Sequence, residues 1–107
     1  MDKYEPVYYD RDGKAITLSE YIALREDGEY YRVAADVMSD GAFVSTVWLG
    51  LDHGWGSGDP LIFETMIFPT QDIYEEQDCW RYSTEAEARQ GHIQAVRWLK
   101  GERRTRP

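Results

Sequence analysis

Cysteine is almost missing from this chain of 107 residues: Cys79 stands alone. A lone cysteine excludes an internal disulfide and fits a reducing compartment. Long apolar runs are missing as well. None approaches the roughly 20 residues that a membrane-spanning helix needs, and the opening MDKYEPVYYD is acidic, unlike a secretory signal. The expectation is a soluble protein of the cytoplasm with no membrane partner. Low-complexity tracts and internal repeats are missing, which excludes a repeat architecture.

Basic residues are outnumbered, 12 Lys and Arg against 20 Asp and Glu, for a net charge of −8. The end of the chain is locally positive, with Arg97, Lys100, Arg103, Arg104 and Arg106 against Glu102 alone. An acidic body repels a phosphate backbone, so direct nucleic-acid binding is not expected. The same charge has a sharper reading, a surface that imitates nucleic acid and occupies a partner that binds it.

What is present suffices for a core. Hydrophobic residues make up 42% and aromatic residues 14%, too many for a disordered chain. The length suits one domain. Residues 1–100 form it, with 101–107 as a flexible basic tail. Four Trp and eight Tyr leave some amphipathic rings for contact surfaces.

Pro6 to Tyr9 and Lys14 to Ile16 flank Asp10-Arg11-Asp12-Gly13, a hairpin signal. Thr17 with Glu20 spells a capping box for a helix to about Glu26, its inner side Leu18, Tyr21, Ile22 and Leu24. Glu29 to Met38, Ala42 to Leu51 and Leu61 to Phe68 read as strands. In the second, Val44, Thr46 and Trp48 alternate with Phe43, Val47, Leu49 and Leu51, as in a strand covered on both sides. The acidic stretch from Thr70 to Arg81 reads as an irregular connection. Thr84 and Glu87 form a second capping box, opening a helix to Leu99 with Gly101 just beyond. The fold class is α+β: an antiparallel sheet of three to five strands packed against a C-terminal helix, with a short N-terminal hairpin and helix.

Candidate site residues gather around the loop Asp52 to Pro60. His53 follows Asp52 at the sheet's exit, and Trp55 sits between glycines, where exposure is expected. Asp52 also has a plainer role, bonding the backbone of its own loop. Glu64 interrupts the apolar run Ile62, Met66, Phe68 on one strand face, so its carboxylate needs a donor or a raised pKa. Arg81, Tyr82 and His92 are the donors in prospect. His92 shares a helical stripe with Ala88, Ala95 and Leu99, which turns its ring toward the sheet, as core histidine or as pocket ligand. The ligand-binding candidates are therefore Asp52, His53, Trp55, Glu64, Tyr82 and His92. No histidine pair at helical spacing and no cysteine pair supports a metal, no cofactor is implied, and the glycine-rich loop lacks the Lys and helix of a P-loop.

The blocks STVWLGLDH at 45–53, PLIFETMIF at 60–68 and RYSTEAEARQGH at 81–92, with the weaker YYDRDGKAITLSEY at 8–21, resemble a family of small actinobacteriophage proteins. The resemblance implies a viral origin and a host-cytoplasmic location, and assigns no reaction. The leading expectation is a non-enzymatic accessory protein that binds a host component, host-defence proteins included. An alternative is a small-molecule or nucleotide-binding protein, in one version a homodimer, with its pocket between the helix bearing His92 and the sheet bearing Glu64. A third is a hydrolase whose His53, Glu64 and His92 converge on one point.

Overall fold

The computed structural model describes residues 7–52, 58–69 and 78–101. Each described element follows from a local signal. Asp10-Arg11-Asp12-Gly13 joins β1 (Tyr8–Tyr9) to β2 (Ala15–Ile16). The Asp10 carboxylate accepts the amides of Asp12 and Lys14, both at 2.9 Å, the self-bonding that suits Asp to turns. Helix α1 (Leu18–Glu26) opens on Thr17, whose hydroxyl accepts the Glu20 amide while the Glu20 carboxylate accepts the Thr17 amide. Only part of its expected inner side is inside. Tyr21 and Leu24 pack on the core, whereas Leu18 and Ile22 are 53% and 48% exposed. The apolar residues of α1 do not fall on one stripe, so the helix can bury only part of them.

The segment expected as one strand from Glu29 divides in two. Gly28–Tyr31 is a short helix, α2, and β3 begins at Arg32 and ends at Val37. Asp27 decides this, because its carboxylate accepts the amides of Glu29 and Tyr30 and caps a turn of helix. Strands β4 (Phe43–Trp48) and β5 (Phe63–Phe68) lie where the alternation puts them. Of the stretch from Thr70 to Arg81 expected as an irregular connection, residues 78–81 belong to a further strand, β6 (Asp78–Tyr82), and 70–77 lie outside the described residues. Trp80 and Tyr82 stand opposite Thr65 and Phe63, while Cys79 and Arg81 stand opposite Met66 and Glu64. That alternation is real but short, and the acids before it conceal it.

The strands form one antiparallel sheet in the order β3-β4-β5-β6, with β1 and β2 as a separate hairpin. Helix α3 (Glu85–Leu99) lies across all four strands. The architecture is thus α+β, a four-stranded antiparallel sheet against a C-terminal helix, with an N-terminal hairpin and helix. Among the described residues, no helix is long and apolar enough to cross a membrane.

The core sits between sheet and helices, in two clusters. Trp48, Phe63, Ile62, Val33 and Ala88 form the first, with Tyr21, Tyr30 and Tyr82 against it. Val44, Ile67 and Ala95 form the second, with Trp80 and Trp98. Trp48 is fully buried, its indole N–H donates to the Tyr9 carbonyl at 2.9 Å, and Tyr30 meets its ring edge-on at 5.1 Å. Just beyond β4 the chain turns at Gly50, whose φ is 77°, and a Cβ there would press on Tyr21 and Trp48. Both conformation and space require glycine.

Candidate functional site

Because β-strand side chains alternate and Thr46 stands opposite Thr65 and Trp48 opposite Phe63, the face under α3 carries Val44, Thr46, Trp48, Phe63, Thr65 and Ile67. Two of these six are polar and fully buried, so they need partners. Thr46 and Thr65 bond each other at 2.6 Å, and Thr46 bonds His92 Nδ1 at 2.7 Å. His92 Nε2 meets Asp36 Oδ2 at 2.7 Å. A carboxylate only accepts, so Nε2 carries hydrogen; in the neutral ring Nδ1 accepts from Thr46, which accepts from Thr65. The result is a directional chain from a half-exposed acid on β3, through a buried imidazole on α3, into the middle of the sheet.

Its order, acid to imidazole to hydroxyl, is that of a hydrolytic triad. Burial separates it from one. Thr46 has no solvent-accessible surface, so its oxygen cannot meet a substrate. The chain ties helix to sheet through a His92 that is 4% exposed and bonded at both ring nitrogens.

Glu64 lies on the opposite face. It is 4% exposed, and its Oε2 accepts Arg81 Nε at 2.9 Å and the Cys79 thiol at 3.1 Å. Arg81 faces it directly across the ladder. The charge is thus balanced by a neighbouring strand, with the Arg81 side chain 42% exposed. Glu64 and His92 do not converge, and the expectation of a shared polar floor gives way. One residue of strand register sends each to its own side.

Tyr82 is on the helix-covered face. Its hydroxyl lies against Gly91, where any Cβ would overlap it, and has no hydrogen-bond partner of good geometry among the described residues. Burial pushes this phenol above its usual pKa, with Thr65 nearby opposing the rise. Asp52 Oδ1 accepts the Leu61 amide at 2.9 Å, which closes the mouth of the loop between β4 and β5. His53 and Trp55 lie outside the described residues.

The space expected between α3 and the sheet is filled: Ala88, Ala95, Thr46 and Thr65 are fully buried and Gly91 touches Tyr82. Among the described residues, no cluster of three His, Cys, Asp or Glu could hold a metal ion. Sequence reasoning missed Asp36, Thr46 and Thr65. Asp36 could have been found from parity alone, since it pairs with Val44 and therefore shares the face of Thr46.

It also missed Arg11. The guanidinium grips Glu85 twice, Nε to Oε1 at 2.7 Å and Nη2 to Oε2 at 2.6 Å. It also donates to the Tyr30 carbonyl at 3.1 Å. Its hydrogen bonds to Glu85 hold that carboxyl below the usual carboxylate range, with Arg89 adding to the effect. The hairpin is thereby strapped to α2 and α3.

The side of the sheet away from α3 is different in kind. Val37, Phe43 and Phe68 stand in register across three strands, with the two rings stacked at 6.2 Å. Val37 is 51% exposed, and Phe43, Met66 and Phe68 are half-buried. No protein-family model, no curated protein and no solved structure matches this chain.

Proposed function

We propose that this chain is a non-enzymatic binding protein that engages another protein through the side of the sheet opposite α3. One observation carries the reading: the row Val37, Phe43, Phe68 is apolar, in register and incompletely buried, while the polar groups best suited to chemistry are engaged internally. His92 is held between Asp36 and Thr46, and Glu64 between Arg81 and Cys79. Protein interfaces are enriched in exposed aromatic rings of this kind. The net charge of −8 adds steering toward a basic partner. The resemblance to small actinobacteriophage proteins supports a partner in an infected host, a defence protein being one such target.

The test is quantitative capture from an actinobacterial lysate with the wild-type chain and with a folded Phe43→Asp/Phe68→Asp variant. A host protein retained by the first and lost by the second supports the reading. Equal recovery on both overturns it.

A further inference from the structure

Among the described residues, strand β3 ends the sheet on one side, paired to β4 alone. Which of its backbone groups point outward follows from the ladder. Met38 N–H donates to the Ala42 carbonyl at 2.7 Å, and bonded and non-bonded positions alternate along an antiparallel pair. Asp36 and Ala34 therefore bond inward to β4, while Ala35 and Val37 turn their N–H and C=O groups away from the sheet. Both residues are exposed. No hydrogen bond outside the ladder engages either among the described residues.

The register shifts between Arg32 and Ala34, tucking Val33 into the core at 8% exposure; a bulge blunts an edge where it sits, so pairing is confined to the regular stretch beyond it, at Ala35 and Val37. Beside this bulge lies an open hollow of about 480 Å³, lined by Gly28 and Tyr31 of α2 and by Arg32, Val33, Ala34 and Ala35 of β3. It has room for a side chain of an added strand. The segment 25–40, which forms and flanks the edge, holds Glu26, Asp27, Glu29, Asp36 and Asp40 against Arg25 and Arg32, with no lysine. Edge strands that resist pairing carry Lys, Pro or other charges; β3 has no Lys or Pro, its Arg32 lies before the bulge, and its Asp36 carboxylate is turned to His92.

We infer that the outer edge of β3 takes a basic, extended segment of a partner protein as a fifth strand. Its backbone pairs with Ala35 and Val37, one side chain enters the hollow, and its cations face the flanking carboxylates. This rests on the reading of the chain as a protein binder and adds to it the partner's conformation and charge. A second copy of this chain is a poor occupant, because it brings the same negative segment to the same edge.

The test uses the ¹⁵N-labelled full chain and a synthetic peptide alternating lysine and valine, with a glutamate–valine peptide beside it. The expected result is shift changes and slowed hydrogen exchange at the Ala35 and Val37 amides with the basic peptide alone, weakening as salt rises. Ala35→Pro removes an outward donor and no ladder bond, so the chain stays folded and affinity falls about tenfold. Should that variant not fold, Glu26→Lys/Glu29→Lys on the exposed helices should weaken the basic peptide severalfold. Equal binding of both peptides overturns the charge assignment. Protection of the same amides without peptide, rising with protein concentration, overturns the partner in favour of a second copy. Silence at millimolar peptide, or shifts at Phe43 and Phe68 instead, overturns the edge. None of these touches the broader binding reading, which the capture experiment scores separately.

Discussion

Under α3 the sheet presents Val44, Thr46, Trp48, Phe63, Thr65 and Ile67, none more than 1% exposed. On its other side Val37 is 51% exposed and Phe43, Met66 and Phe68 are half-buried. The same strands supply both faces, and their composition is similar; what differs is coverage. On the closed face Thr46, Thr65 and His92 find their partners inside the fold, in the chain Asp36–His92–Thr46–Thr65 that links β3, α3, β4 and β5. On the other face Glu64 is served by its nearest strand neighbours. The closed face is sealed by α3, whereas on the other Val47 and Glu64 are buried and Val37, Phe43 and Phe68 stay partly exposed.

The comparison is tested most severely by truncating one aromatic on each face. Trp48→Ala removes a fully buried ring and orphans the Tyr9 carbonyl. A loss of about 3–5 kcal/mol is expected, a large part of a small domain's stability. Phe43→Ala, from the half-buried row, should cost about 1 kcal/mol, in keeping with its partial burial. Urea denaturation reads both. Similar costs for the two would mean that the faces are covered alike.

A smaller effect carries a sign that depends on how tightly α3 is seated. Alanine is better than glycine in a helix by about 1 kcal/mol, so propensity alone makes Gly91→Ala stabilising. A Cβ at Gly91 would overlap the Tyr82 ring and hydroxyl, and such overpacking costs about 1–3 kcal/mol. We expect net destabilisation, with partial recovery when Tyr82→Ala is added, a coupling between neighbours that a double-mutant cycle measures. A stabilised single variant would mean that helix and sheet are looser than described.

Both capping boxes were legible in the sequence because each is written within four residues and needs no partner elsewhere. The hairpin at Asp10 to Gly13, strands β4 and β5, and the inward turn of His92 were legible for similar reasons. The rest depended on register. Glu64 and His92 each looked like half of one pocket, and only the parity of β5 against the helix-covered face separates them. Asp36 was hidden because its role needs α3 to arrive from 56 residues away. Helix α2 was hidden because Tyr30 and Tyr31 favour strands, while the Asp27 cap outweighs them locally. Arg11 read as a turn residue; its grip on Glu85 spans 74 residues.

That grip marks the rim of the closed face and gives the smallest expected effect. Arg11 holds the Glu85 carboxyl below its ordinary value of 4.5 in the folded chain, chiefly by hydrogen bonding. A carboxyl depressed on folding contributes stability that is present above the unfolded value and is lost as pH falls through the folded one. The window is therefore below pH 4.5. The Arg11 and Glu85 side chains are 17% and 30% exposed, so solvent screens the pair, and about 1 kcal/mol is its ceiling. Glu85→Gln should thus be less stable than wild type by up to about 1 kcal/mol at neutral pH, and the gap should close as both are titrated toward pH 3. The difference between the two chains cancels the other carboxylates, which titrate alike in both. A gap that stayed constant across that range would mean that the strap holds by shape and neutral hydrogen bonding, and that charge at the rim adds nothing to the seating of α3.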